Sequence, residues 1–200
     1  MSIIFIVSAP SGSGKTTLCL EMIKRSSGLM RSISHTTRTP RSDEVDGRDY
    51  YFISEEEFLK KITQGEFLEW AKVHGHLYGT SRENLLKARN LGLDLVLVID
   101  VQGASNIQKM NLDGVYIFIL VSSLQILETR LMDRGSDSGQ EVKVRLQNAL
   151  EEIEQARRYD YIIINREIEE TVDYMLAIVK AERCRAQRFL QSRGGKELLT

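Results

Sequence analysis

The apolar run Ile3-Ile4-Phe5-Ile6-Val7 leads directly into Ala9-Pro10-Ser11-Gly12-Ser13-Gly14-Lys15-Thr16-Thr17, and Leu18, Met22 and Ile23 follow at helical spacing. A strand, a glycine-rich turn and a helix in this register are what a phosphate-binding P-loop requires. Gly12 and Gly14 let backbone N–H groups turn inward towards an anion, and the helix start adds positive potential at the same point. Lys15 can reach outer phosphates, and the Thr16 hydroxyl can ligate magnesium. Ala9 stands where the first glycine usually stands, so that backbone position must be accessible to a residue with a side chain. The bland alternative is an ordinary Gly/Ser turn between a strand and a helix.

The rest of the chain alternates strand and helix in the way a P-loop α/β core demands. Continuous apolar runs predict buried parallel strands at 3–8, 95–100, 115–121 and 161–164. Helices are expected at 16–26, 55–63, 81–91, 124–133, 141–157 and 168–190. Ser54 to Glu57 and Thr80 to Glu83 have capping-box spacing, and Gly28, Gly65 and Gly92 sit where helix C-caps belong. Two stretches interrupt the alternation. Residues 34 to about 80 are richer in arginine, aromatics and short strand-like pieces, with a hairpin expected from Glu66 to Tyr78. Residues 134–140 read as a loop between two helices.

Composition narrows the chemistry. The chain has 200 residues, 42% of them hydrophobic, enough for one compact domain with inserted subdomains. Lys+Arg 27 against Asp+Glu 28 gives a net charge of −1, which argues against bulk nucleic-acid or anionic-membrane binding. Cys19 and Cys184 are far apart and read as reduced thiols of a cytosolic protein. The first apolar run is too short for a signal peptide, and no stretch approaches a membrane span.

Four further constellations carry chemistry. Ser34, Arg38 and Arg41, with Tyr50 downstream, make a cradle for a phosphate monoester, because guanidinium forks match phosphate oxygens. The acids Asp43, Glu44, Asp46 and Asp49 interrupt any basic stripe, so a compact site for one phosphate fits better than a polynucleotide track. Glu69, followed by Tyr78 and Thr80, is an acceptor-only carboxylate suited to the adjacent N1–H and N2–H₂ donors of guanine and left unpaired by adenine. Asp100 closes the run Leu95 to Ile99, where it would face a bound nucleotide or its magnesium. Arg130, Arg134 and Arg145 flank the glycine-bearing loop and could close on a migrating phosphoryl group. Each has an ordinary structural counterpart: a solvated loop, a water-facing strand residue, a strand-end acid, exposed helix arginines.

Taken in order, these blocks resemble guanylate kinases, P-loop enzymes that phosphorylate GMP, over nearly the whole chain from Ile3 to about Arg185. The resemblance rests on Ser8 to Lys15, Ser34 to Arg41, Gly47 to Phe52, Phe67 to Trp70, Tyr78 to Thr80, Ile99 to Gly103 and Arg134 to Ser138. It implies transfer of a phosphoryl group from MgATP to GMP. The implied fold is a core of parallel sheet flanked by helices (1–33, 83–124 and 156–200), a mixed α/β GMP-binding subdomain (34–82) and a helical lid (125–155). Residues Ala9 to Thr17 would hold ATP, with Asn165 near the adenine. Ser34, Arg38, Arg41, Tyr50 and Tyr78 would hold the GMP phosphate, and Glu69, Thr80 and Asp100 would read the guanine edge. Lys15, Arg134 and Arg145 would act on the transferring group, and Thr16 would hold Mg2+. The resemblance also implies a cytoplasmic, bacterial-type enzyme, monomer or homodimer. Four positions depart from the family pattern: Ala9 for glycine, Thr80 where serine is also seen, Gly139 in a lid stretch that is commonly acidic, and Arg166 where an acid commonly follows Asn165. The rivals are another nucleoside-monophosphate kinase, disfavoured by Glu69, and a non-catalytic guanylate-kinase-like interaction module, disfavoured by the intact Gly14-Lys15-Thr16.

Overall fold

The computed structural model describes residues 2–10, 12–73, 75–132 and 139–191, with the side chains of Leu124, Arg130, Leu131, Gln191 and 139–145 outside that description. In chain order, β1 (Ile4–Ser8) and α1 (Lys15–Arg25) are followed by β2 (Leu29–Arg31), β3 (His35–Thr36) and β4 (Tyr51–Phe52). Next come α2 (Glu55–Thr63), β5 (Phe67–Val73), β6 (His76–Ser81), α3 (Arg82–Leu91), β7 (Asp94–Val98) and α4 (Val101–Lys109). The chain continues through β8 (Val115–Val121), α5 (Leu124–Met132), α6 (Gly139–Glu154), a 3-10 turn (Gln155–Arg158), β9 (Tyr161–Asn165), α7 (Ile168–Arg183) and α8 (Ala186–Gln191).

Two sheets form. The larger is parallel throughout, in the order β2-β7-β1-β8-β9. It is covered on both faces, which is why its central strands are continuously apolar. On one face Phe5 and Val7 pack with Leu18, Cys19 and Met22 of α1 and with Val172, Met175 and Val179 of α7. On the other, Ile4 and Ile6 pack with Leu95, Leu97, Ala88 of α3 and Ala104 and Ile107 of α4. Each such side chain contributes about 1.5–3 kcal/mol by leaving water, so the strand that carries the P-loop is held firmly from both sides. The smaller sheet, order β4-β3-β6-β5, is mixed, with an antiparallel β5–β6 hairpin. Its private core is Phe58 of α2 stacked on Phe67 at 4.5 Å, with Leu77 beside them.

The structure departs from the sequence reading at several elements. A helix, α4, follows β7 where none was expected. Gly103 and Asn106 give that stretch weak intrinsic propensity, but Asp100 caps it by accepting the Gly103 N–H at 2.9 Å, and Ala104 and Ile107 bury its inner face. β7 ends at Val98, so Asp100 is the helix cap beyond the strand rather than the strand's last residue. The expected helix 168–190 breaks at Cys184 and Arg185 into α7 and α8. Arg188 of α8 is drawn to the buried Glu182 at 3.2 Å and to Asp113 at 2.9 Å, which favours the bend. Thr80 does not cap α3. Ser81 does, accepting from Glu83 N–H, while Thr80 stays in β6. The short edge strand β2 had no signal in the apolar pattern.

Candidate active site

The P-loop bends between β1 and α1. Gly12 and Gly14 lie at φ 88° and 85°, a left-handed backbone that residues with side chains rarely adopt. The Lys15 side chain folds back so that Nζ donates to the Ile99 carbonyl at 2.6 Å. Desolvation pulls its ammonium below the usual lysine range, while Asp100 and, more weakly, Glu152 hold the charge in place. Behind the loop, Asn165 at the end of β9 is buried, and its Nδ2 donates to the Ser13 carbonyl at 3.1 Å. Thr171 of α7 donates to Asn165 Oδ1 at 3.0 Å, so a chain of side chains ties helix, strand and loop together.

The smaller sheet supplies the opposite wall. Asn84 of α3 anchors its entry by donating to Ser32 Oγ at 2.9 Å and to the Ile33 carbonyl at 3.1 Å. Arg38 lies over the Tyr50 ring, 5.5 Å from its centroid, and donates to Tyr78 Oη at 3.3 Å and to Glu44 at 2.8 Å. Glu44 also accepts the Arg41 N–H at 2.8 Å, and the Arg41 guanidinium approaches it at 3.8 Å while remaining more than half exposed. Burial opposes the charge on Glu44, but these bonds outweigh it and hold its carboxyl below the usual range. The arrangement is a pair of guanidinium groups with a tyrosine beside them, open to an anion.

Glu69 is 6% exposed on β5, and Thr80 donates to its Oε1 at 2.6 Å from the neighbouring strand. Burial is the main cause that lifts its carboxyl to about 7. The Thr80 hydroxyl opposes the shift, and Asp100 adds to it. Gly103 explains how two acids approach so closely: a Cβ there would meet Glu69 Oε2 at 2.7 Å and Asp100 Oδ1 at 3.2 Å. The α4 backbone can pass the carboxylates only because this residue has no side chain.

A single cleft of about 380 Å³ joins these parts. Ala9, Pro10, Gly12 to Thr17 line one end. Ser34, Arg38, Arg41, Tyr50, Tyr78 and Glu69 line the other, with Asp100 between them. Thr80 sits behind Glu69 and Asn165 behind the P-loop; both support the wall instead of forming its surface. Ser11 and Arg134 lie outside the described residues, and Arg145 is on α6 with its side chain outside them. A P-loop facing an arginine pair and a buried acid is the arrangement of a kinase whose acceptor carries its own phosphate. The guanylate kinase family model matches residues 1–182.

The chain belongs to the guanylate kinase family. Guanylate kinases of Geobacter metallireducens and Thermotoga maritima are 48% and 44% identical to it, over 95% and 92% of this chain and 94% and 89% of theirs. The crystal structure of guanylate kinase from Anaplasma phagocytophilum matches with a TM-score of 0.80 at 35% identity, covering 99% of this chain and 93% of that one. A shikimate kinase from Bacteroides thetaiotaomicron, at 18% identity and TM-score 0.52 over 89% of this chain and 98% of its own, shares the fold alone.

Six residues that line this guanylate kinase cleft carry no role in the sequence reading: Val73, His76, Gly79, Val98, Ile99 and Glu152. Val73 and His76 flank the hairpin turn, which was anticipated without a role for its ends. Glu152 is one of several acids on α6, and only its place in the cleft beside the P-loop residues singles it out. Among the described residues no three His, Cys, Asp or Glu cluster to hold a metal, and no helix is long and apolar enough to cross a membrane.

Proposed function

We propose that this chain transfers the γ-phosphoryl group of MgATP to GMP, giving ADP and GDP, in the cytoplasm. The observation that carries the reading is the shared cleft, with the P-loop at one end and Arg38, Arg41 and Glu69 at the other. ATP would lie on Ala9 to Thr17, near Asn165. GMP would lie on Ser34, Arg38, Arg41, Tyr50 and Tyr78, with its base against Glu69, Thr80 and Asp100. A phosphate oxygen of GMP, anionic near neutral pH, attacks the γ-phosphorus in line as the bond to ADP breaks. No side chain need remove a proton. Alignment and charge stabilisation then provide the catalysis. Lys15 leaves the Ile99 carbonyl for the outer phosphates, and Arg134 and Arg145 add charge from a lid at 125–155 that closes over the core (1–33, 83–124, 156–200) and the GMP subdomain (34–82).

Magnesium fits the residues present. Thr16 lies in the first turn of α1 at the cleft, and Asp100 Oδ2 is buried there with no hydrogen-bond partner among the described residues. Magnesium on a nucleotide keeps most of its waters and needs few protein ligands. Thr16 would hold it and Asp100 would face it, and the ion would neutralise phosphate charge when bound.

The test is ADP formation from MgATP with GMP, dGMP, AMP, UMP, dTMP or no acceptor. Turnover with GMP, weaker with dGMP and near background otherwise, is expected. Equal turnover with AMP would overturn the base-reading role of Glu69, and turnover independent of any acceptor would overturn the kinase reading.

A further inference from the structure

A second hollow, of about 950 Å³, lies beside the cleft between β5, α4 and the C-terminal half of α6. Val73 and Glu152 line both cavities, so one opens into the other between the outer end of β5 and α6. The wall from β5 and α4 is basic. Trp70 and Lys72 stand on the exposed face of β5, as strand alternation requires, and Lys109 of α4 joins them. The wall from α6 is acidic, with Asn148, Glu151 and Glu152 at the spacing that shares one helix face. The side chains of Lys72, Lys109 and Glu151 are exposed and have no hydrogen bond or ion pair among the described residues.

Opposite charges on facing walls attract across the hollow, and each wall leads to the cleft. β5 carries Glu69 and pairs with β6, which carries Tyr78 and Thr80, while α6 carries Arg145. Asn106 of α4 donates to the Trp70 carbonyl at 3.0 Å and pins β5 at that point. Beyond it, Lys72 and Val73 lead to the hairpin end, which is exposed at Gly75 and His76. The facing wall is held by Ala149, which packs with Val121 and Leu127. Motion of the hairpin end towards α6 narrows the gap at Val73 and Glu152. It also brings the Lys72 ammonium to the Glu151 carboxylate and shelters Trp70, which is 43% exposed. Neither Lys72 nor Glu151 lines the cleft, so both act through the position of the hairpin.

We propose that Lys72 and Glu151 are positioning residues that pair across this hollow when ATP and GMP bind, drawing the hairpin that holds GMP against α6. The pairing rests on the reading of the cleft as the site of both nucleotides. Trp70 is the single tryptophan of the chain, so its emission reads the hollow directly. GMP together with a non-hydrolysable ATP analogue is expected to move that emission to the blue as water leaves the hollow. Lys72→Glu sets like charges across the gap. It is expected to raise both the KM for GMP and the GMP concentration that half-shifts the emission by about fivefold, the scale of an exposed ion pair. Adding Glu151→Lys restores opposite charges and is expected to return both values to within about twofold of the unaltered chain. High salt is expected to shrink the effect of Lys72→Glu. Lys87→Glu on α3 changes the net charge equally away from the hollow and is expected to leave both values unchanged. Emission that the two ligands leave unmoved, a double variant no better than Lys72→Glu, or a Lys87→Glu effect as large as that of Lys72→Glu overturns the pairing. No turnover of GMP, with the Trp70 shift and its dependence on Lys72 intact, overturns phosphoryl transfer and supports the pairing.

Discussion

Burial lifts the Glu69 carboxyl to about 7, against 4.5 for an ordinary glutamate, although Thr80 donates to it. In the unfolded chain the group ionises near its ordinary value, so between these two pH values the folded state holds the extra proton. Stability from this group is therefore fully present below about pH 4.5 and is lost as pH rises through about 7, a difference of about 3 kcal/mol at most. Glu69→Gln is expected to stabilise the ligand-free protein at pH 8 by up to that amount and to change little at pH 4.5, read by denaturant unfolding at the two pH values. The same carboxylate must be ionised to accept two guanine donors. Selectivity for GMP, measured as kcat/KM, is then expected to fall about tenfold per pH unit below 7 relative to the Glu69→Gln profile, which carries the substrate phosphate's own titration. Parallel profiles would remove Glu69 from base recognition.

Helices and strands act here by carrying groups to one another. α4 brings Gly103 against Glu69 and Asp100, so Gly103→Ala is expected to displace the Glu69 carboxylate, the flexible end of the clash, and to leave the sheet intact. The expected outcome is a KM for GMP raised by about tenfold, equivalent to about 1.4 kcal/mol, with KM for ATP nearly unchanged; steady-state kinetics with each substrate varied separates the two. β9 brings Asn165 to Ser13 and Thr171. Asn165→Ala would remove the Nδ2 donor from the Ser13 carbonyl, while the Thr171 hydroxyl keeps the Glu167 carbonyl at 2.8 Å; the expected cost is about 1–3 kcal/mol, together with a raised KM for ATP. Thermal unfolding and ATP kinetics check both effects. At this scale legibility followed the apolar pattern. Strands buried on both faces were plain because nearly every residue in them is apolar, and the hairpin was plain from Glu66 to Tyr78. α4 was not, since a helix with Gly103 near its centre is made by its Asp100 cap and by the sheet it covers. The Thr80 hydroxyl was read as a cap because spacing alone cannot show that Glu69 lies across the hairpin.

The whole molecule joins the P-loop and the wall of Arg38, Arg41 and Glu69 in one cleft, to which α6 adds Glu152. A ligand that binds only the folded state stabilises it by about 2.7 kcal/mol at a hundred times its dissociation constant. GMP and a non-hydrolysable ATP analogue are each expected to raise the unfolding temperature, and together by more than the sum of the two, because each orders a wall that the other touches. Strictly additive shifts would speak against closure around both substrates.

The chain's local patterns suffice for the P-loop, the parallel core and the identity of most cleft residues, because glycine conformations, apolar periodicity and guanidinium–phosphate matching are properties of short segments. Long-range packing was needed for the rest. Glu152 enters the cleft only through the placement of α6, and Asn165 becomes a support of the P-loop only because β9 ends behind Ser13. Likewise Glu69 differs from any surface glutamate only because Thr80, Asp100 and Gly103 close around it, and the resulting loss of water raises its pKa. Burial and electrostatic contact depend on which distant segments meet, and no short window of sequence contains that information.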